Sequence, residues 1–273
     1  MNKFDVFYPV GPKDYDIIHH SIKNNSRKIN GFDKIYIFNE SKSINIKGVE
    51  QIDPNFFPFS LDYIEDKIKL KKRAGWIYAQ LVKLYYPYLQ ANHQHTLVVD
   101  ADVFFLKKLN FIENNRGIFT VSDEYHQPYF DHMKKLHPTL LRNRNESGIS
   151  HHMLFDKELL SNLFNLVEDY HQKKFYDVYL DEINPDENSP SGDYEIYFHY
   201  VLENFPKLYD VRRLYWENID LLSKKNLANK DFVSLPHYKL TRPNDFIRNL
   251  KKLKFKQAVW SLRNDFYIKK ISI

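Results

Sequence analysis

The sequence predicts a single α/β domain built on a mostly parallel sheet flanked by helices, and three features indicate this fold class. The chain has 273 residues, which suits one large domain, and 43% of them are apolar, enough for a sizeable core. Its opening alternates strand, helix and strand patterns, as the βαβ units of parallel sheets do. Residues 96–99 form a compact apolar run between polar flanks, which is typical of a central buried strand.

The first elements follow from β-forming residues, turn residues and helical periodicity. Residues 4–10 are rich in β-formers and lead into a loop with Pro and Gly, so they predict a strand. Residues 14–26 carry isoleucines at helical spacing and predict a helix. Residues 34–38 predict the second strand, and residues 46–59, which are rich in Pro and Asn, predict strand and loop.

The middle of the chain predicts two helices and the central strand. Residues 61–70 predict a helix, and residues 76–89 predict a stronger one, because their apolar side chains recur on one helical face. Residues 96–99 follow as the buried strand. A second short extended segment, residues 103–106, comes after an acidic turn.

The second half of the chain predicts fewer elements. They are strands at residues 117–122, 149–155 and 232–235 and a helix at residues 157–172. Residues 181–190 are acidic and contain Asn and Pro, so they predict a loop. Ser191 then fits the N-cap of a helix that continues until Pro206.

Composition excludes several classes of protein and site. The chain has no cysteine, so a disulfide framework, a thiolate nucleophile and a Cys-based zinc site are excluded. No apolar run reaches the length of about 18 residues that a membrane span needs, and the N-terminus has no long apolar stretch. We therefore expect a cytoplasmic protein. The formal net charge of +5 is mild, and no nucleic-acid partner is expected from it.

The C-terminal segment has a character of its own. We predict a main domain at residues 1–245 and a helical tail at residues 246–273, in which basic and aromatic residues alternate. Such an amphipathic helix can lie on an anionic membrane surface, which would make the protein membrane-peripheral. The alternative is a solvated helix whose apolar side packs on the domain.

Asp100 and Asp102 give the strongest chemical signal. They directly follow the predicted central strand, and ligands of open α/β sheets bind beyond the carboxyl ends of strands. Two carboxylates one residue apart can share a divalent cation, and Mg²⁺ and Mn²⁺ prefer hard oxygen ligands together with substrate phosphates. Asp is also common at strand ends without any ligand, so the pair alone does not establish a site.

The segment around this pair resembles a known family. Residues 97–105, Leu-Val-Val-Asp-Ala-Asp-Val-Phe-Phe, resemble the DxD segment of GT-A-type glycosyltransferases, and more closely a bacterial and viral family of GT-A-like enzymes whose substrates are mostly unassigned. The further segments that are similar to this family are residues 7–14, 75–84, 151–155 and 192–197. One departure is Ala79, which stands where the family has a second Gln beside Gln80.

The resemblance implies a GT-A-like fold with a Rossmann-like sheet, a nucleotide-diphosphate-sugar donor and Mn²⁺ or Mg²⁺ as cofactor. Asp102 would bind the metal, and Asp100 would bind the donor ribose or the metal. His237, after the last predicted strand, would be a further metal ligand, which favours Mn²⁺ because imidazole suits it better than Mg²⁺. The alternative for His237 is a turn residue bonded to the backbone.

The resemblance also implies contacts to the donor. The implied donor-binding residues are Pro9, Val10 and Gly11 in the first loop and Trp76, Gln80 and Lys83 on the helix before the central strand. The three helix residues lie at i, i+4 and i+7 and therefore share one stripe. Lys83 could meet the diphosphate and Gln80 a sugar hydroxyl, although a partly solvated helix edge explains the same spacing.

The acid–base and acceptor candidates come from two later segments. Glu195 is the first candidate for the base and Asp193 is the second. The base would take the proton of the acceptor hydroxyl if the reaction inverts the anomeric carbon. The dipole of a helix first turn favours both acids without any catalytic role. His151 and His152 are neighbours in a predicted strand, so at most one faces the pocket. We predict that His152 contacts the acceptor.

The sequence thus predicts a metal-dependent glycosyltransferase that moves a sugar from a UDP- or GDP-sugar to a glycan or lipid-linked acceptor. A nucleotidyltransferase that makes nucleotide-sugars is the first alternative, but it would usually have a Gly-rich opening loop, and the whole chain has only 7 Gly. A non-catalytic module that binds glycan or nucleic acid through the basic tail is the second. Such a module would not need the Asp pair at a strand end.

Overall fold

The structure is a computed structural model that describes residues 3–68, 71–90, 92–220 and 227–236. The predicted tail, residues 246–273, lies outside the described residues. Among the helices that are described, none combines the length and the apolar character needed to span a membrane.

The centre of the molecule is a five-stranded sheet in the order β3-β2-β1-β4-β8. Its strands are β1 Phe4–Pro9, β2 Phe32–Phe38, β3 Glu50–Ile52, β4 His95–Val99 and β8 His152–Asp156. The first four run parallel, and β8 pairs with β4 in the antiparallel direction. Strands β1, β4 and β8 are buried along almost their whole length, as expected for strands covered on both faces. The predicted mixed fold with a mostly parallel sheet is confirmed.

Seven α-helices are described around the sheets. They are α1 Ile18–Asn25, α2 Leu61–Lys67, α3 Ala74–Leu89, α4 Gln127–Leu136, α5 Lys157–His171, α6 Phe175–Asp181 and α7 Asp193–Asn204. Helix α3 packs on β1, β4 and β8 and also contacts α5 and α7. The rings of Phe7 and Tyr86, stacked at 3.9 Å, are one of the contacts that fix α3 on the sheet.

Two small sheets complete the described part of the chain. One has the order β6-β7-β9, with β7 and β9 parallel, and the other has the order β10-β11-β5. Their strands are β5 Val103–Phe105, β6 Ile112–Glu113, β7 Arg116–Val121, β9 Tyr209–Arg213, β10 Trp216–Asn218 and β11 Phe232–Ser234. The predicted strands at 103–106, 117–122 and 232–235 are therefore confirmed within one or two residues.

Several predicted boundaries differ from the structure. The predicted helix at residues 14–26 is a 3₁₀ turn at Pro12–Asp14 followed by α1. Helix α7 is capped by Gly192 and not by Ser191, whose hydroxyl bonds Gln80 instead. Helices α4 and α6 were not predicted, and neither were β6, β9 and β10.

A buried polar network holds β5 in place directly after the Asp pair. The hydroxyl of Ser21 and the side-chain amide of Asn25, both on α1, donate to the carbonyl of Val103 at 2.7 and 2.9 Å. The amide of Phe105 donates back to the Asn25 side chain at 3.0 Å. Because these buried groups satisfy one another, the turn that contains Asp100 and Asp102 is fixed at its far end.

Candidate metal and donor site

The turn after β4 carries the candidate site. The amide of Asp100 donates to the carbonyl of His151 at 2.9 Å, and the amide of Val103 donates to the carbonyl of Asp100 at 3.1 Å. The carbonyl of Asp102 accepts from the amide of Leu235 at 3.0 Å. Two segments that are distant in sequence and one bond within the turn thus hold its backbone, so the two carboxylates have a defined place at the carboxyl end of the central strand.

His151 completes a three-residue cluster with the Asp pair. Its backbone has a φ of +59°, a left-handed conformation that is costly for a residue with a side chain and that is found mainly at functional sites. Its Nδ1 lies 3.1 Å from Oδ2 of Asp100. Asp100, Asp102 and His151 each offer one ligand atom, and these atoms lie within 4.8 Å of one another, so the three residues could hold a metal ion.

Lys83 of α3 reaches the same cluster. Its Nζ lies 2.8 Å from Asp100 Oδ1 and 3.2 Å from Asp193 Oδ2, and it sits 4.6 Å from the centre of the Tyr194 ring. The Tyr194 hydroxyl donates to Asp100 Oδ1 at 3.2 Å. Burial opposes the charge of Lys83, but the two carboxylates outweigh it and raise its pKa. Lys83 is therefore a firmly held cation beside the Asp pair.

A further carboxylate, that of Asp14, faces the cluster from the loop after β1. Burial, and then repulsion from Asp102 and Asp100, raises the pKa of Asp14 to about 7. Burial also raises the pKa of Asp102, with repulsion from Asp100 adding to the shift and His151 opposing it. Asp193 follows the same pattern, because burial raises its pKa while Lys83 opposes the shift. Burial is thus the main reason why these three carboxylates are harder to ionise than a free carboxylate.

Asp100 is the exception among the acids of the site. Burial opposes its ionisation, but the charge of Lys83 and the contact with His151 outweigh burial and hold the pKa of Asp100 below its usual value. The same contact raises the pKa of His151 against the effect of burial. Asp100 is thus ionised, and both of its carboxylate oxygens have partners. Asp102, in contrast, has a buried oxygen without a hydrogen-bond partner among the described residues.

A divalent cation fits this arrangement. Oδ1 of Asp102 is buried and has no hydrogen-bond partner among the described residues, which is costly for a carboxylate oxygen. Burial is the main cause that raises the pKa of Asp14 and of Asp102, and repulsion from neighbouring carboxylates adds to it. Two carboxylates and an imidazole form the mixed oxygen and nitrogen ligand set that suits Mn²⁺ better than Mg²⁺.

The predicted donor loop lies next to this cluster, since β1 and β4 are parallel neighbours in the sheet. Residues 9–11 end β1 and enter the loop. The amide of Val10 donates to the carbonyl of Phe38 at 2.7 Å, and the carbonyl of Gly11 accepts from the amide of Asp14 at 2.9 Å. The Val10 side chain is part of the hydrophobic core. A ligand at this loop would therefore contact the backbone and Gly11.

The other two predicted donor residues of α3 are occupied by protein contacts. Gln80 is buried, and its amide bonds Ser191 and the hydroxyl of Tyr179, which ties α3 to the segment before α7. The guanidinium of Arg73 covers the ring of Trp76 at 4.4 Å. Only Lys83 of the predicted stripe has a described contact with the Asp pair, and donor contacts by Gln80 and Trp76 stay predictions.

The structure separates the two predicted acid–base residues. Asp193 contacts Lys83 at the cluster. The carboxylate of Glu195 is fully buried and accepts hydrogen bonds from the Ser147 hydroxyl and from the Gly148 amide. A methyl group at Gly148 would lie 2.6 Å from Phe198, so this close contact needs glycine. Glu195 therefore anchors the segment before His151, and its predicted role as the base does not agree with this position.

His152, the predicted acceptor residue, is a core side chain in the described structure, and its contact with an acceptor stays a prediction. His152 is buried, bonds the Thr120 hydroxyl at 2.9 Å, and lies among the rings of Phe105, Phe111 and Phe232. Burial, and then the charge of Arg212, lowers the pKa of His152 well below its usual value, so it is a neutral core residue. One of the two neighbouring histidines does face the site, as expected, but it is His151.

His237, the predicted metal ligand, lies outside the described residues. His151, Tyr194 and Asp14 are site residues that the sequence did not reveal. Asp14 had a usable signal, because it follows β1, whose carboxyl end must adjoin that of its parallel neighbour β4.

The sequence matches the protein family described as "Family of unknown function (DUF6492)" over residues 4–231. The chain belongs to this family. No curated protein matches it. Among solved structures, it is similar to the apo form of mouse xyloside xylosyltransferase 1, with 9% sequence identity and a TM-score of 0.47 over 88% of this chain and 100% of that chain. So distant a likeness gives no residue correspondence, and a function for this member of the family has to come from its own site.

Proposed function

We propose that this protein is a divalent-metal-dependent glycosyltransferase that uses a nucleotide-diphosphate sugar. One observation carries the proposal: a carboxylate oxygen of Asp102, which is buried and has no hydrogen-bond partner among the described residues, lies beside Asp100 and His151 at the carboxyl end of the central strand. A metal–diphosphate complex would supply a cation for this oxygen and matches the place where such sheets bind ligands.

The metal would be held by Asp100, Asp102 and His151, and Asp14 would face it from the loop after β1. Bound there, a divalent cation would neutralise the charge that develops on the departing diphosphate. Mn²⁺ is the expected ion because of the imidazole. The ligand set differs from the sequence-based prediction in having His151 where that prediction had His237.

Lys83 would bind the diphosphate of the donor. Its ammonium lies beside Asp100 and Asp193, and its raised pKa keeps it charged at any physiological pH. A fixed cation next to the metal would stabilise the leaving group more in the transition state than in the bound donor, because negative charge grows there as the glycosidic bond breaks.

Asp193 is the carboxylate available for proton transfer. It begins α7, contacts Lys83, and has a pKa raised by burial, which makes it a better base than an ordinary aspartate. In an inverting reaction it would take the proton of the attacking acceptor hydroxyl. In a retaining reaction its contact with Lys83 would position that cation.

The first experiment measures nucleotide release from a panel of UDP- and GDP-sugars with Mn²⁺, with and without EDTA. We expect release from at least one donor, its loss with EDTA, and its loss in Asp102→Ala. The matched control is Asp210→Ala, which removes an exposed carboxylate paired with Arg116 far from the Asp pair in sequence and in sheet position. Release that survives both EDTA and Asp102→Ala, or no release from any donor, would reject the proposal.

A further inference from the structure

A groove of about 600 Å³ opens beyond the carboxyl ends of β7 and β9. These two strands are parallel and paired, with Val121 opposite Arg213, so the segments that follow them leave the sheet at the same edge. Residues 122–125 form one wall and residues 213–216 the other. The volume falls within the roughly 300–1,000 Å³ of small-molecule sites.

Both walls of the groove expose an aromatic ring. Tyr215 is 75% exposed and Tyr125 is 56% exposed, although such large rings are normally more buried. Tyr125 is held in place by the ring of Phe130 at 5.4 Å and by the guanidinium of Arg142 at 4.7 Å. Exposed rings with a fixed orientation present a flat apolar face to a ligand, with a hydroxyl at the edge.

The polar groups of the groove are suited to hydroxyls and not to phosphates. Asp123 and Glu124 stand on one wall, and Arg213 on the other wall lies 2.7 Å from Asp123. Carboxylates accept hydrogen bonds from hydroxyl groups, and the guanidinium donates to their oxygens. Two carboxylates beside one guanidinium would repel the backbone of a nucleic acid.

Trp216 connects the groove to the metal and donor site. It lines the groove, and its ring meets the His151 ring edge-to-face at 5.0 Å. Its other contact is the Phe232 ring, stacked at 5.3 Å. A ligand that lies along the groove and reaches past Trp216 therefore arrives at His151, a residue of the proposed metal set.

We propose that this groove is the acceptor subsite and that it binds a saccharide whose sugar rings stack on Tyr215 and Tyr125. Its hydroxyls would bond Asp123, Glu124 and Arg213, and the hydroxyl nearest Trp216 would face the anomeric carbon of the donor. In the transfer step that hydroxyl oxygen forms the new glycosidic bond, the bond to the donor diphosphate breaks, and the hydroxyl proton leaves to a base. This assignment rests on the proposed function.

The test uses the full chain on an array of defined oligosaccharides in the presence of EDTA, so that saccharide binding is measured without metal or donor. Variants Tyr215→Ala and Tyr125→Ala remove rings whose exposure makes misfolding of the variants unexpected. The matched control is Tyr170→Ala, because Tyr170 is also 56% exposed but packs on His137 and His171. Metal-dependent nucleotide release is measured in parallel on every variant.

We expect the protein to bind at least one saccharide, Tyr215→Ala and Tyr125→Ala each to weaken that binding about fivefold to tenfold, and Tyr170→Ala to leave it unchanged. Metal-dependent nucleotide release should be unchanged in the control variant Tyr170→Ala. No binding to any saccharide, tighter binding to a single-stranded oligonucleotide, or equal losses in the control would overturn the subsite. Saccharide binding without any metal-dependent nucleotide release would instead reject the proposed transferase activity and support the groove as a saccharide-binding site.

Discussion

Two clusters of similar composition lie at opposite ends of the central sheet. Asp100, Asp102 and His151 follow the carboxyl end of β4, whereas Asp5, Asp33 and His93 gather at the amino ends of β1 and β2. Both contain a buried carboxylate oxygen without a hydrogen bond in the described structure, on Asp102 and on Asp5. The two clusters have the same residue types, but they differ in burial, since Asp33 is exposed, and in the cations around them.

The amino-end cluster is close to charge balance. Lys3 lies 2.9 Å from Asp33, and His93 lies 3.1 Å from Asp33 and 3.7 Å from Asp5. Hydrogen bonds from Lys3 and His93 lower the pKa of Asp33. Lys34 adds its backbone amide to Asp5 at 3.1 Å. Two lysines, Lys3 at Asp33 and Lys34 at Asp5, interact with these two carboxylates, so the protein itself supplies the countercharge.

The carboxyl-end cluster is not balanced. Among the described residues, four carboxylates gather here, on Asp14, Asp100, Asp102 and Asp193, and the cations that interact with them are Lys83, His151 and, at Asp14, Lys13. A cluster of acids is thus a better candidate for a cation site when its carboxylates outnumber the cations around them. Burial raises the pKa of Asp5 as it raises that of Asp102, so the direction of a pKa shift alone does not separate the two clusters.

The largest difference between the two clusters should be in metal binding. We expect Asp102→Asn to weaken Mn²⁺ binding more than about a hundredfold, since removing a direct ligand costs more than removing a residue that supports one. The equivalent change in the amino-end cluster, Asp33→Asn, should leave Mn²⁺ binding unchanged. Titration calorimetry on the two variants makes the comparison, and equal losses in both would show that charge balance does not distinguish the clusters.

Removing the cation of the site should come next in size. Lys83→Met leaves Asp100 and Asp193 buried without their partner, so we expect the metal-free protein to lose about 3 kcal/mol of stability. Saturating Mn²⁺ should recover part of this loss, because the ion binds only the folded state. Urea unfolding with EDTA or Mn²⁺ measures both effects. The exposed Lys3→Met is the control, and a loss of similar size there would contradict the comparison.

Asp14 should give a pH-dependent effect of intermediate size. Its pKa in the fold is about 7, above the unfolded value of 3.8, so its burial costs nothing below about pH 4, costs progressively more between pH 4 and pH 7, and reaches a constant cost above the folded pKa. Asp14→Asn should therefore stabilise the metal-free protein by about 2 kcal/mol at pH 8, roughly half of the full pKa difference because solvent screens a partly exposed carboxylate.

The same variant should show no gain near pH 4, and it should bind Mn²⁺ less tightly. Thermal unfolding in EDTA at several pH values tests the first point. A stabilisation that does not change with pH would mean that Asp14 is not repelled by the Asp pair.

The smallest effect is expected from His93→Gln at the balanced cluster. His93 makes partly exposed contacts with Asp33, and such pairs contribute little. We expect the unfolding midpoint to fall by no more than about 2–4 °C and nucleotide release to stay unchanged. Loss of nucleotide release in His93→Gln would show that the amino-end cluster also serves the reaction.

The fold could be predicted where one face or a whole strand is strongly apolar. Residues 76–89 and 96–99 are such cases, and both elements lie within two residues of their predicted ends. Helix α4 has only a narrow apolar face, at Phe130, Met133 and Leu136, and α6 spans two turns, so local periodicity was too weak to reveal them. Short strands such as β10 depend on partners that are distant in sequence.

The site was predictable in its position but not in its histidine. The sequence places Asp100 and Asp102 after a buried strand, and the structure agrees. The prediction that His152 faces the acceptor assumes that side chains alternate between the two faces of a strand through both histidines. The strand begins only at His152, and the left-handed backbone of His151 turns that side chain towards Asp100. Such a reversal depends on tertiary contacts and leaves no local pattern.

The antiparallel strand β8 has a consequence for how this family could diversify. Because β8 lies next to β4, the chain leaves the sheet at Asp102 and returns to it at His151, so the stretch between them begins and ends at nearly the same point. That stretch contains β7 and the 122–125 wall of the groove. A long segment whose two ends lie close together can change in length and sequence without moving those ends. Substitutions and insertions in this segment could thus change the proposed acceptor groove in relatives, while Asp102 and His151 of the proposed donor site stay in place.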